Sequence, residues 1–343
     1  MKRDISARKG LARMIRNVMF TAAFVVAAGL VWAANNERMG LGPKNGSITV
    51  LAIDPQNPKM MYAGTTAGGL FKSTDGGASW TALNSAYGVH HVSALAISPK
   101  SPNILFAGTD NGVYKSIDAG NNWNPFTSGL TNLDITAVAI DPHNPNTIYA
   151  GTWGDGVFKS ADAGLKWAPA NEGLNSAFVY SLAIDSQNPT RVYAGTNNGL
   201  LTSGNAGKSW SAVKPDLGTV QALWVDPHNS NVIIAGSNSW VAGKDYTPSV
   251  WKSSDRGESW KEMKSGLPQK RLCALVIDPD DGNVMYVATE GGIFKSTDGG
   301  ASWNAANSGL TAPSVSALTA DPRNPSKLYA GTSGGVFEIT FAR

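Results

Sequence analysis

Cysteine is all but missing from this chain: Cys273 is the single one in 343 residues, so no disulfide can form within it. Cys273 falls in the apolar run Leu272 to Ile277 and is expected to be a buried, inert thiol. Charge is sparse as well, at 15% of residues, and histidine occurs four times. The pair His90-His91 has no Cys partner and no further His expected on its face, so no metal site and no cofactor are expected. Helix-forming runs are scarce while glycine supplies 38 residues, a balance that favours short strands joined by tight turns.

A long apolar run occurs once, from Val18 to Ala33, behind Lys2, Arg3, Arg8, Lys9, Arg13 and Arg16. A basic flank, an apolar core and small residues near Ala33 read as a secretory segment over residues 1–33. An uncleaved anchor is the alternative, and it would be the chain's one membrane contact; either way residues 34–343 are expected outside the cytoplasm, in the periplasm, outside the cell or held at the membrane's outer side. Beyond residue 33 the chain has 22 basic and 24 acidic residues, so its basic pI belongs to the leader and nucleic acid is not an expected partner.

Internal repetition dominates the rest. An apolar run ending in an Asp-Pro-like turn recurs at Asp54, Ser98, Asp141, Asp185, Asp226, Asp278 and Asp321, at spacings of 44, 43, 44, 41, 52 and 43 residues. A Tyr-Ala-Gly-Thr-like strand follows each turn, then a Gly-rich turn and a Phe-Lys-Ser-like strand. In six of the seven units the sequence S-x-D-x-G-x-x-W comes next, beginning at Ser73, Ser116, Ser160, Ser203, Ser253 and Ser296, with Asn205 replacing Asp once. Three strands before this box and one after it make a four-stranded unit of about 40–45 residues, the signature of a β-propeller blade. The expected fold is all-β: one domain over residues 34–343 with seven four-stranded antiparallel blades.

The first strand of each unit, such as Ile48 to Ile53, is apolar at nearly every position and is expected to be buried on both faces. A small residue near its middle (Ala94, Ala137, Ser181, Ala222, Ala274 or Ala317) is expected at the crowded axis. The seventh unit reaches its third strand at Gly335 to Phe341, so its fourth strand is expected from Ala34 to Arg38, closing the ring and removing an open edge.

The six boxes resemble the Asp-box (BNR) repeats of the sialidase and sortilin-like superfamily over about residues 45–343. That resemblance implies a structural role for the boxes on the blade periphery. The carboxylate accepts turn amides, glycine takes a positive φ, and Trp covers the hairpin.

Function is then sought where the units disagree. The loops between second and third strands hold Asp110, Trp153, Asp155, Asn197, Asn198 and Glu290, and the fifth unit inserts Asn238 to Pro248 with Trp240, Lys244, Asp245 and Tyr246. The loops between blades add Tyr87, His90, His91, Asp134, Phe178, Lys270 and Arg271, and the position before each inner strand reads Ser47, His91, Asp134, Phe178, Thr219, Arg271, Ser314. Both loop sets are expected at one mouth of the central channel. Aromatic rings beside acids suit sugar stacking or a protein contact, and the expected ligand-binding residues are Tyr87, His91, Trp153, Trp240, Lys244, Tyr246 and Arg271.

Enzyme readings can be weighed against the same residues. A sialidase needs three converging arginines, but past the leader there are Arg38, Arg191, Arg256, Arg271, Arg323 and Arg343, of which Arg271 alone falls at the expected mouth. The repeats are also similar to those of the two-propeller xyloglucan hydrolases, whose catalytic Asp follows Thr in a T-D-x-G-like turn. Thr109-Asp110-Asn111-Gly112 fits that turn and Thr289-Glu290-Gly291-Gly292 resembles it. Hydrolysis needs two carboxyl groups about 5–9.5 Å apart, with Asp110, Asp155 and Glu290 as candidates. More loosely, the chain resembles the photosystem assembly propellers, which implies a binding or scaffold role toward a protein or glycan partner.

Overall fold

The computed structural model describes residues 37–39, 42–43, 46–83, 91–240, 245–278 and 280–341. The expected leader, together with Tyr87, His90 and Lys244, lies outside these residues. Seven antiparallel sheets of four strands each are present, and together they form a seven-bladed propeller. Blade 1 shows the common plan: an inner strand Ile48–Ile53, a second strand Met61–Thr65, a third Leu70–Ser73 and an outer Thr81–Leu83. In blade 7 the order is Val315–Asp321, Asn324–Thr332, Gly335–Thr340 and then Glu37–Met39. Glu37 pairs with Ile339 and Met39 with Phe337, so a strand from the start of the chain completes the last blade. This strand runs on past the expected Arg38, and Ala34 to Asn36 fall outside the described residues.

Burial corrects the expectation for the inner strands. They are partly exposed at most positions, whereas Met61–Thr65, Leu105–Thr109, Ile148–Thr152, Val192–Thr196 and Met285–Thr289 are buried throughout. Inner strands border the channel, so the second strand is the one sandwiched between neighbouring blades. The small residue is also not the axial one. A β-bulge after the first residue of each inner strand, or after the second in Thr219–Val225, leaves the next position without a paired partner. Those residues are Thr49, Ser93, Thr136, Tyr180, Gln221, Cys273 and Ser316, and all seven line the channel. The small residue that follows turns into the seam between blades, where Ser181 Oγ donates to the Val220 carbonyl of the next blade at 3.1 Å.

That seam is where the core resides. Seven apolar clusters occur among the described residues, each spanning two adjacent blades rather than filling one. The seam between blades 7 and 1, for example, joins Ala317, Tyr329 and Val336 to Ile48, Leu51, Met61 and Phe71. The recurrent glycine of the second strand is explained here. A Cβ on Gly151 would lie 2.6 Å from Val179, on Gly108 2.6 Å from Ile135, and on Gly331 2.4 Å from Ile48. In each case the obstacle is the first inner-strand residue of the next blade, so glycine sets how closely blades approach.

Two further joints link neighbours. On the Asp-Pro-turn side, Gln56 Nε2 donates to the Pro99 carbonyl, Lys100 Nζ to that of His143, Gln187 Nε2 to that of Pro227, and Arg323 Nη2 to that of Gln56. His143 Nε2 lies 2.6 Å from the Ser186 carbonyl in the same series. At the box, Ser73 Oγ donates to Asp75 Oδ1 at 2.8 Å while the Ser79 amide donates to the same oxygen at 2.9 Å. Asn205 reproduces both contacts in the fourth box, at 2.9 Å each, so the turn needs an acceptor oxygen rather than a charge. Trp167, Trp210 and Trp303 donate their indole N–H to the Phe126, Ala170 and Met263 carbonyls of the preceding blade.

Two outcomes follow. Replacing Gly331 by Val should cost about 1–3 kcal/mol in chemical denaturation, because Ile48 leaves no room for added atoms in a packed seam. Hydrogen bonds from the serines of their boxes hold Asp75, Asp255 and Asp298 at about 2, below the ordinary 3.8. Depressed carboxylates stabilise the folded state above the ordinary value, and that contribution disappears as the pH falls toward 2. Tm should therefore drop between about pH 4 and pH 2, and the Asp75→Asn, Asp255→Asn, Asp298→Asn triple variant should show a shallower drop in calorimetry.

Candidate functional site

A cavity of about 890 Å³ opens at one mouth of the channel. Two sets of residues converge on it by backbone geometry. The residue preceding an inner strand and the residue just after the second strand of that blade are joined by a hydrogen bond, as in Asp110 N–H to the His91 carbonyl, Trp153 N–H to that of Asp134 and Glu290 N–H to that of Arg271. Loops between blades and loops between second and third strands therefore share this face. Asn238 and Tyr246, from the inserted fifth-blade hairpin, line the same cavity.

Of the expected residues the cavity brings together His91, Asp110, Trp153, Tyr246 and Arg271. Asp155 does not line it, and its Oδ2 accepts a bond from Thr131 Oγ1 at 2.7 Å. Glu290 stands beside the cavity in an ion pair with Arg271, Oε1 to Nε, at 3.2 Å. Trp240 also stays off the wall: the insertion lengthens its two strands to Ile233–Ser239 and Thr247–Ser253, leaving Trp240 at the tip, 63% exposed. Tyr87 and Lys244 fall outside the described residues.

Reading the sequence for loops missed the bulged ring. Tyr180, Gln221 and Thr136 line the cavity from within strands, as does Cys273. In the aligned units this position is polar or aromatic in the midst of an apolar run, and that mismatch was the available cue. Cys273 is thus a wall residue of the channel rather than part of a seam. Burial pushes its thiol pKa up, which disfavours the thiolate a nucleophile requires.

The wall divides into sectors. On blades 2 and 3, Asp110, Asp134 and His91 gather, with His91 Nδ1 3.1 Å from Ser93 Oγ. Burial lifts the Asp134 pKa above the ordinary carboxylate value; His91 opposes the rise and the Asp110 charge adds to it. On blades 3 and 4, Trp153 meets Phe178 and Tyr180 edge-on, both at 5.4 Å between ring centres. Between blades 4 and 6, Tyr180, Tyr246 and Arg271 face one another across the opening, and burial raises the Tyr180 pKa. Among the described residues no group of three His, Cys, Asp or Glu side chains could hold a metal ion. Nor is any helix among them long and apolar enough to cross a membrane.

By structure, the chain is similar to the GH74 xyloglucanase from Xanthomonas campestris, with a TM-score of 0.73 and 18% identity over 88% of this chain and 52% of that one. It is similar to the extracellular domain of a B. thetaiotaomicron protein, at 0.70 and 15% over 90% of this chain and 40% of that one. A third likeness is to YCF48 bound to D1 peptide, at 0.65 and 14% over 88% of this chain and 95% of that one. The chain spans about half the length of the GH74 enzymes it resembles, at 52%, 46% and 53% of three of them. No curated protein matches by sequence. Residues 219–341 match the model of the DUF6242 beta propeller domain. At such identities the likeness shows architecture, and the protein is a seven-bladed β-propeller whose last three blades match that domain.

Proposed function

We propose that this protein is an exported binding propeller that presents its channel mouth to a macromolecular partner, a protein or a glycan. The observation that carries the reading is the mouth cavity, in which aromatic and charged side chains from blades 2 to 6 converge although the repeats around them are built alike. Such a wall offers large rigid contact surfaces together with a few orienting polar groups, as a binding site requires. Trp240 and Tyr246, 63% and 38% exposed, carry apolar surface outward beside the cavity. The neighbours lend support: one is an extracellular domain, and another is bound to a peptide.

A second reading, glycoside hydrolysis, is favoured by Asp110 and Asp134 standing close enough to influence each other, with Asp134 raised as a general acid would be. The original trio of carboxylates does not support it, because Asp110 alone of the three reaches the cavity wall.

Two measurements separate these readings. Trp240→Ala with Tyr246→Ala should weaken capture of the native partner from the envelope fraction without lowering Tm, since neither ring is part of a seam; an unchanged capture profile would count against the hairpin as a contact. Against a panel of β-glucans the wild-type chain should show no turnover. Turnover that Asp110→Asn abolishes with the fold intact would make the hydrolase reading the correct one.

A further inference from the structure

We propose that the mouth recognises a basic peptide, seating a lysine or arginine head group between Asp110 and Asp134 beside the ring of Trp153. This deepens the binding reading and rests on it. Of the other acids on this face, Glu290 is paired with Arg271 and Asp245 with Lys270, each at 3.2 Å, while Asp155 lies off the cavity wall and accepts a hydrogen bond from the Thr131 hydroxyl. Among the described residues no hydrogen bond or ion pair reaches the carboxylates of Asp110 or Asp134. With Arg271 neutralised by Glu290, these two leave the cavity wall with a net negative charge.

The pair alone would make the rim acidic and nothing more; Trp153 is what directs it at a particular ligand. Its main-chain N–H donates to the Asp134 carbonyl at 2.9 Å, which sets the two residues side by side on the cavity wall that Asp110 shares. Edge contacts with Phe178 and Tyr180 hold the ring while 48% of the residue stays exposed. An indole beside unpaired carboxylates attracts a cation through both its ring quadrupole and their charge. Burial is the main cause that raises Asp134 and the Asp110 charge adds to it, and a bound cation would offset both. A neutral or acidic glycan gains nothing from the charge of this sector. A basic side chain on an extended peptide does, and a cavity of about 890 Å³ has room for its stem and the flanking backbone.

The test titrates the full chain with fluorescein-labelled pentalysine, pentaglutamate, fully acetylated pentalysine and a glucosamine pentamer, reading anisotropy at low and moderate salt. Pentalysine should bind, and Asp110→Asn, Asp134→Asn and Trp153→Ala should each weaken it about five- to tenfold. Asp245→Asn, an acid on the same face already matched by Lys270, should change it less than twofold and so controls for general charge. Equal binding of the acetylated peptide, undiminished binding by Asp134→Asn, or binding of the glucosamine pentamer without pentalysine would each overturn the proposal. If pentalysine fails to bind while Trp240→Ala with Tyr246→Ala still weakens envelope capture, the binding face stands and the basic ligand does not. If neither pentalysine binding nor that capture effect is seen, both fall.

Discussion

The distance of closest approach between neighbouring blades governs this structure. Where the second strand of one blade meets the first inner residue of the next, glycine at 64, 108, 151, 195, 236 and 331 removes the atom that would collide. Blade 6 uses Ala288 at the same place, buried without an alternative, so a single methyl is the most the repeat carries there. Because each apolar cluster belongs to two blades, no blade possesses a core of its own, and stability is a property of the closed ring.

From that constraint comes a division of labour between the two faces. The Asp-Pro-turn face is given over to clasps, in which a side chain at the third turn position reaches the backbone of the neighbour. His143 belongs to this series, which accounts for a histidine that carries no chemistry. The opposite face bears almost no such regularity. There the bulge in every inner strand presents one side chain to the channel, and the scaffold places no demand on what that side chain is. Hydroxyls, an amide, a phenol and a thiol all occupy the position, so one repeated backbone device gives the channel wall a varied chemistry.

The repeat made most of the fold readable in advance. Seven equivalent units, four strands apiece and a last blade shared by distant segments all follow from where the box and the Asp-Pro turns recur. What could not be read was which inner-strand residue faces the axis, because a bulge shifts alternation by one place and leaves no mark in the local sequence. Ala137 and its counterparts were therefore assigned to the axis when they sit in the seams. The site was legible as a face and less so as a set of residues. His91, Asp110, Trp153, Tyr246 and Arg271 converge, while Asp155 and Glu290 are diverted by Thr131 and Arg271, partners that only three dimensions reveal. Tyr180 reaches the cavity from within the strand Val179–Ile184, where the bulge and not a loop exposes it.

The shared blade bears on how the molecule is made. Glu37 must wait for Ile339, about three hundred residues later in the chain, before its ladder can form. During ribosomal synthesis six blades can emerge and stack while the faces of Ile48 and Met61 remain uncovered, since Tyr329 and Val336 are still to come. Non-local contacts of this kind form late and slowly. An arc still lacking its last blade would have one bare apolar flank, and a holdase that covers it would matter most to yield at that stage.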